Sequence, residues 1–497
     1  MTKIAVIGSG VGGLAVAARL QALGHAVTVF EKQATFGGKL ARFEKEGYVF
    51  DLGPSLFTLP AVYRDLFDRT GKPLDDQIEI VAPSPAFRYQ FPDGQVVKLP
   101  ASDPGRIAGA LGAALGSAAT TQWLSLIKHA AQIWQLTRVP ILESPLNGWR
   151  DLIPLAKNPL NLFKVRPWQS LRRVANQHLK DPRLIMLLDR YATYTGSDPR
   201  KAPAALITVP YLEQNFGAWH ISGGIHQLGV AIYGRCNELG VEFRFNTQVQ
   251  KIQTQGNSVK SIILDTGEEI EFDLVVSNTD AQLLYSKLID HPLAKKALQR
   301  LTKSTPSLSG FVLLLAVEGE TPDIEHHNVW FPADYDAEFD QIFSKHPQPV
   351  TDPTIYACVP DDASMRPNAN SESWFVLVNA PRHGVGPGLV DWNQPGMKEN
   401  YAKNILSRLT DRGVNLEGRI KWQQIRTPAD LESEFNAPGG SIYGSSSNGA
   451  RAAFLRPMNK SSINGLYLVG GSSHPGGGLP LVGLSARIVA NLIGKAK

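Results

Sequence analysis

The segment IAVIGSGVGGLAVAARLQALGHAVTVFEK, residues 4–32, constrains the fold more than any other part of the chain. Ile4 to Ile7 is a short apolar run of the buried-strand kind, Gly8-Ser9-Gly10-Val11-Gly12-Gly13 turns the chain, and Leu14 to Leu23 carries helical apolar spacing. The order is strand, glycine turn, helix. Gly8 permits the tight turn, Gly10 lets the backbone approach a pyrophosphate, and Gly13 allows close helix–strand packing. The helix N-terminus adds unpaired N–H groups and a favourable dipole. Val27 to Phe30 reads as a second strand ending in Glu31, where an acidic side chain accepts from ribose hydroxyls. The stretch predicts a dinucleotide site in an α/β domain.

The next residues narrow the choice of dinucleotide. In EKQATFGGKLARFEKEGYVFDLGPS, Gly37-Gly38 stands six residues beyond Glu31, and Arg42 follows shortly after. A second glycine pair near the phosphates, with an Arg able to pair with them, suits a long and permanently bound dinucleotide. This extended pattern resembles the FAD signature of the amine-oxidase and carotenoid-desaturase group of flavoproteins. The resemblance implies FAD, with Glu31 at the adenosine ribose, Arg42 in the pyrophosphate region and Lys32 also among the cofactor-binding residues. An acidic residue at 31 argues against a 2′-phosphate, and hence against NADP. A second GxGxxG is absent, so no nicotinamide partner is expected.

At 497 residues, 43% hydrophobic and 19% charged, the chain is long and apolar enough for a sizeable core. Cys236 and Cys358 lie far apart and outside any CxxC spacing, which argues against a disulfide scaffold, a cysteine-rich metal site or a redox-disulfide enzyme. Each reads as a buried free thiol, and no metal is expected. The N-terminus begins directly with the first strand and has no export signal, so a cytoplasmic protein is expected.

Charge is concentrated. Residues 128–183 hold ten Lys and Arg against Glu143, Asp151 and Asp181, a local excess of seven, while the rest of the chain has 40 basic and 42 acidic residues. Trp123, Trp134, Trp149, Phe163 and Trp168 lie in or beside this stretch. Aromatic residues interleaved with basic ones suit a helix lying in a headgroup layer; a solvated basic face over an ordinary core is the plainer alternative. No apolar run approaches the ~20 residues of a spanning helix. The reading is therefore peripheral association with the inner face of the membrane. No nucleic-acid-binding motif accompanies the basic residues.

Farther on, VEFRFNTQVQKIQTQGNSVKSIILDTGEEIEFDLVVSNTD alternates with period two and turns at Gly256-Asn257 and Thr266-Gly267, a meander ending in the buried strand Leu274 to Ser277. The last segment, INGLYLVGGSSHPGGGLPLVGLSARIVANLIG, reads as a strand, a turn at Gly470-Gly471, a glycine-lined loop and a helix. Such a loop lets backbone touch a flat ring, and the helix N-terminus favours negative charge on a reduced flavin. That segment, the Ala437-Pro438-Gly439-Gly440 turn, HHNVWFPADYDAEFDQIF at 326–343, RYATYTGSDPRKAPAAL at 190–206 and GAWHISGGIHQL at 217–228 together resemble the bacterial phytoene-desaturase family of carotenoid enzymes, over essentially the whole chain. The Arg-Tyr-Ala-Thr-Tyr run points within it to 3,4-desaturases of hydroxylated or acyclic carotenoids.

The resemblance implies a two-dinucleotide-binding-domain α/β flavoprotein with a discontinuous Rossmann-like FAD domain, a mixed α+β substrate domain and a helical membrane-facing region. Residues 1–80, 215–290 and 436–497 are assigned to the first, 81–120, 184–214 and 291–435 to the second, and 121–183 to the third. Val249 would meet the adenine through its backbone, and Gly470, Gly471, Gly477 and Leu479 would line the flavin. The implied reaction removes two hydrogens from a C–C bond flanking a polyene, as a hydride to the flavin and a proton to a base or solvent, with oxygen or a membrane quinone as terminal acceptor. The substrate is a carotenoid delivered from lipid.

The acid–base group is less determined. Arg150 and Asp151 resemble an Arg/Asp neighbourhood associated with proton handling in the family, though a surface ion pair fits them equally. His220 and His474 border the glycine motifs and carry side chains that titrate near neutrality when unperturbed. His474 is read as positioning, and His220 as positioning or packing. Tyr194 and Glu213 are further candidates. A carotenoid cis–trans isomerase and a lipid-binding relative that has lost its flavin share the fold. The His-Pro-Gly loop argues against an amine oxidase, and the intact Glu31, Arg42 and C-terminal loop argue against loss of flavin.

Overall fold

The computed structural model describes residues 1–146, 151, 159–449 and 452–496. Its organising element is a five-stranded parallel sheet in the spatial order Glu242–Arg244, Ala26–Phe30, Lys3–Ile7, Leu274–Ser277, Leu466–Leu468. Ile4 to Val6 are fully buried because both faces of this strand region are covered, by helices on one side and by an antiparallel meander on the other, so the apolar run is continuous rather than alternating. The helices Val11–Ala22, His226–Leu239 and Leu479–Ile493 pack on one side, and the small, Ala-rich face of the first permits close approach. On the other side Val249, Ile252, Ile262 and Leu264 of the antiparallel meander Val249–Gln255, Ser258–Leu264, Glu269–Glu271 close the core. Lys3–Ile7 is flanked by one strand from each half of the sheet, so strand order reverses beside it. Ligands bind at the carboxyl ends of strands at such a switch point.

A second, mixed sheet of seven strands runs in the order Ile420–Arg426, Ser309–Glu318, Ser371–Ala380, Ile355–Cys358, His327–Trp330, Phe87–Gln90, Val96–Leu99. Ser309 to Val317 are all buried because both faces are covered. Phe311, Leu313 and Leu315 join Trp374, Ile405 and Leu409 on one face, whereas Val312, Leu314 and Ala316 meet Tyr48, Phe50 and Trp422 on the other. A helical layer rests against the far end of this sheet. Its longest member, Ser117–Thr137, buries Trp123, Leu126, Ala130 and Ile133.

That burial corrects one expectation. Trp123 and Trp134 are core residues, 0% and 6% exposed, and Trp123 Nε1 donates to Gln214 at 3.0 Å. Several of the basic residues are also paired: Arg172 with Asp189 and Asp336, Arg183 with Asp181 and Asp93, and Arg138 with Glu143. Phe163 and Trp168 do stand in solvent, 66% and 57% exposed, ring against ring at 5.8 Å. Trp149 lies outside the described residues. Among the described residues, no helix is long and apolar enough to cross a membrane.

Candidate functional site

The glycine turn sits at the carboxyl end of Lys3–Ile7. Gly8 has φ +94° and donates its N–H to the Phe30 carbonyl, which ties the turn to the neighbouring strand. A Cβ on Gly13 would lie 2.0 Å from the Gly8 carbonyl oxygen, so the helix can pack this closely only with glycine there. The first helical turn carries no acidic residue, which leaves its positive end free for an anion. The Glu31 carboxylate, 8% exposed, accepts from Ser9 N and Oγ at 2.8 and 2.9 Å and from Gln33 N at 3.0 Å. Gly37 donates to the Ser9 carbonyl, and Gly38 abuts Gly10, so the second glycine pair lies directly against the first loop. Val249 begins the meander just beyond Thr247, whose N–H meets the Glu31 carbonyl.

Two cations stand near this loop. Arg42 opens the hairpin Arg42–Lys45/Tyr48–Asp51 and pairs with its neighbour Glu44. Lys39, which the motif reading passed over, points Nζ at the Ile442 carbonyl at 2.7 Å and faces Asp280. Desolvation lowers its pKa and raises that of Asp280. Lys39 is exposed, and Asp280 and Tyr443 are half-buried near the Gly470–Gly478 loop, and we read the three as lining a cleft there. Lys32 is half-buried and reaches the Ser433 carbonyl at 3.3 Å.

The C-terminal loop forms another wall. Gly470 follows the last strand with φ +104°, Gly471 packs on Gly477, and a Cβ on Gly477 would strike the Tyr443 ring at 2.5 Å. Leu479 begins the closing helix and its carbonyl accepts from Tyr63 Oη. Buried Arg456 binds the carbonyls of Tyr443, Gly471 and Ser445 at 2.6–3.2 Å, holding the loop's outer side. His474 Nε2 lies 3.0 Å from the Ser144 carbonyl, so that nitrogen carries the proton. Burial pushes its pKa down to about 4, which removes it from titration near neutrality.

His220 is buried in Ala218–Ile221 with Nε2 2.9 Å from Asp362 and its ring 4.7 Å from that of His326. Burial alone would raise the Asp362 carboxyl, but hydrogen bonds from Ser364, His220 and Gly223 hold it well below the usual range. Arg150 lies outside the described residues, and Asp151 is half-buried beside them. Tyr194 and Glu213 come together: Tyr191 and Tyr194 donate to the two Glu213 oxygens at 2.6 and 3.1 Å, and burial raises that carboxyl. Arg190 joins them through Tyr194. The pairing of His327 with Cys358 across adjacent strands also assembles His326, His327 and Cys358, with ligand atoms within 4.8 Å of one another. No sequence spacing reveals that group.

A glycine turn at a switch point, an acid on the next strand and a second glycine pair folded onto the turn define a dinucleotide-binding oxidoreductase. Residues 11–384 match the family described as flavin containing amine oxidoreductase, and the chain belongs to that family. It is 33% identical to the 1-hydroxycarotenoid 3,4-desaturase of Flavobacterium sp. (strain P99-3), covering 99% of both chains. It is 31% identical to the 4,4'-diapolycopene oxygenase of Methylomonas sp, covering 99% of this chain and 98% of that one. The 4,4'-diaponeurosporene oxygenase of Staphylococcus aureus (strain Mu50 / ATCC 700699) is also 31% identical, with the same coverage. In fold it is similar to an oxidoreductase from Methanosarcina mazei, with 16% identity, TM-score 0.63, and 98% and 100% of the two chains covered. Putrescine oxidase bound to putrescine gives 12% identity and TM-score 0.64, with 99% of each chain covered. The protein is thus a flavoenzyme of the bacterial carotenoid-desaturase group, its cofactor FAD. The residues fit that group: Gly10 leaves the start of the first helix bare of a side chain, Glu31 is held at a strand end by Ser9, and Gly477 leaves room for the Tyr443 ring.

Proposed function

We propose that the protein desaturates an acyclic carotenoid, removing a hydride and a proton from adjacent carbons next to the polyene, with a 1-hydroxycarotenoid 3,4-desaturation as the nearest form. The observation that carries the reading is the alignment of the chain almost end to end with carotenoid-modifying flavoenzymes, and the gathering of Lys39, Asp280, Tyr443 and the Gly470–Gly478 loop beside the glycine turn supports it. FAD supplies a two-electron acceptor at its N5. Gly8, Gly10, Gly13, Gly37 and Gly38 cradle its diphosphate, Glu31 and Lys32 meet the ribose, and Val249 meets the adenine. Lys39 takes the cationic place first assigned to Arg42. Gly470, Gly471, Gly477 and Leu479 form the backbone wall at the ring.

In this reading residues 1–80, 215–290 and 436–497 hold the cofactor, and 81–120, 184–214 and 291–435 enclose the substrate. His474, neutral and anchored to Ser144, positions the glycine loop. His220 donates an Nε2–H hydrogen bond to the Asp362 carboxylate, keeps Nδ1 as an acceptor, and serves in this reading as the base for the departing proton. Arg150 and Asp151 stay candidates for proton handling at the entrance. The cation left on the polyene is delocalised, so positioning and a proton acceptor suffice. Exposed Phe163 and Trp168 beside Lys164, Arg166 and Arg173 in residues 121–183 face the lipid that delivers the substrate, and oxygen or a quinone takes the electrons.

The names of the Methylomonas and Staphylococcus relatives favour a second reading, oxygenation at a chain end. Liposomes carrying a panel of acyclic carotenoids, supplied with FAD-loaded protein, separate the two. Loss of two hydrogens with a red shift supports desaturation, whereas gain of oxygen supports the second reading. An altered isomer band at unchanged mass makes the protein an isomerase, and no change across the panel refutes a carotenoid activity.

A further inference from the structure

Arg190 closes the helix Pro182–Arg190 and is 8% exposed. Its Nη1 donates to Tyr194 Oη at 3.1 Å, and its guanidinium carbon lies 5.3 Å from the centres of both the Tyr194 and Tyr356 rings. That hydrogen bond is the only one its side chain makes among the described residues, where no ion pair to it is formed either, although Glu213, held by the same Tyr194, lies near enough to feel its charge. A guanidinium keeps its charge and carries several N–H donors, so most of these are unspent. None of its nitrogens is sealed in the core without a partner. The remaining donors therefore keep accessible surface, beside the half-buried rings of Tyr194 and Tyr356 and on the side of Tyr443, which continues to the glycine wall.

The surroundings say what ligand this suits. Glu213 is occupied by the hydroxyls of Tyr191 and Tyr194 and does not meet Arg190 directly. Tyr356 Oη is engaged with Ser55 Oγ at 2.5 Å and His327 Nδ1 at 2.9 Å, so it too is spent. Tyr443 connects this cluster to the glycine wall, since it packs on Gly477. A hydrocarbon laid along the cleft would leave the Arg190 donors facing apolar carbon, which is costly in a buried site. An acceptor oxygen would satisfy them.

We infer that Arg190, with Tyr194, is a receptor for an oxygen-bearing carotenoid end, a hydroxyl or an aldehyde, and so selects substrates whose reacting bond lies within a few bonds of that end. The inference rests on the carotenoid reading above and specifies its substrate class. Among the described cations nearby, Arg456 is committed to three backbone carbonyls and Lys39 is assigned to the cofactor side, so the binding role falls to Arg190.

The test uses the FAD-loaded protein in liposomes with acyclic polyenes of equal conjugation, ending in an alcohol, an aldehyde or a plain hydrocarbon. Both kcat/KM and binding, read from the shift of the polyene spectrum, are measured for wild type, R190M, R190K and Y194F. Wild type should favour the oxygen-bearing ends by about 10-fold or more, the worth of a charged hydrogen bond. In R190M that ratio should fall to within about threefold of unity in both readouts, with partial recovery in R190K and an intermediate value in Y194F. Should R190M not fold, R190K and Y194F carry the comparison. Equal use of the hydrocarbon by wild type, or a wild-type ratio in the folded variants, overturns the inference while leaving the carotenoid reading intact. If wild type neither binds nor converts any of the three, both fall.

Discussion

Replacing Gly10 by alanine should separate cofactor binding from folding. Gly10 has φ −64°, ordinary for alanine, and an added Cβ would meet the Asn278 side-chain nitrogen at 2.9 Å. That amide holds one long hydrogen bond, 3.4 Å to the Gly8 carbonyl, and moving it costs at most about 1 kcal/mol. The methyl group would nevertheless stand over the first helical turn, where the diphosphate must come within hydrogen-bond distance of the N–H groups. Charge-assisted hydrogen bonds are worth roughly 1.5–3 kcal/mol each, so losing two costs about 3–6 kcal/mol. That corresponds to a drop in FAD affinity of roughly 10²- to 10⁴-fold. Gly13→Ala provides the contrast, because its Cβ meets backbone at 2.0 Å and nothing can swing aside. The assay is FAD titration of deflavinated protein by flavin fluorescence, with the thermal midpoint of the apoprotein recorded in parallel. Gly10→Ala should keep the apoprotein midpoint and lose FAD; Gly13→Ala should lower the midpoint itself. FAD binding by Gly10→Ala within about threefold of wild type would refute the placement of the diphosphate.

Glu31→Gln puts an amide against the Ser9 donors and should weaken FAD binding by about 10-fold or more in the same titration. His474 is neutral in the fold, with a pKa of about 4, and titrates near its ordinary 6.5 when unfolded, so its contribution is complete above 6.5 and declines as the pH falls toward 4. Linkage puts this at about 2 kcal/mol between pH 7 and 5. His474→Gln keeps a donor for the Ser144 carbonyl without titrating, and urea midpoints at the two pH values should differ correspondingly less than in wild type. Arg456→Met strands three carbonyls under the glycine loop and should cost about 3 kcal/mol or more, seen as a lower midpoint and a lost flavin. Replacing Phe163 and Trp168 together by serine should reduce sedimentation with anionic liposomes while the midpoint stays put; undiminished binding would remove this face from the membrane reading.

The parts of the site legible in the sequence are those in which backbone geometry dictates residue type locally. Gly8, Gly13 and Gly470 stand where a positive φ or a backbone contact excludes a side chain, and Glu31 stands at a strand end, so spacing alone locates them. Side chains whose partners lie far off in sequence were not legible. Arg42 and Lys39 are three residues apart, and only the hairpin register turns Arg42 toward Glu44 while the turn at Gly38–Leu40 delivers Lys39 to the cleft. His327 and Cys358 become neighbours through strand pairing that no local pattern announces. The Trp residues show the opposite error: Trp123 and Trp134 fit an amphipathic face, and the second layer of helices makes that face interior. Arg190 was visible as part of a motif, but its unspent donors emerge only once Tyr194, Tyr356 and Tyr443 surround it.

The central sheet also sets an order of events during synthesis. Lys3–Ile7 finds its inner neighbour only when Leu274–Ser277 has been made, and that strand waits in turn for Leu466–Leu468. Contacts of such long sequence separation form slowly, after loop closure has been offset by little else. The glycine turn is made long before residues 466–493, and the cleft beside it stays unwalled until they have emerged. Flavin capture is therefore expected to be late relative to synthesis of the turn. Throughout that interval the apolar edge of Lys3–Ile7 is exposed to wrong pairings, which makes FAD supply and chaperone protection a natural limit on the yield of active protein.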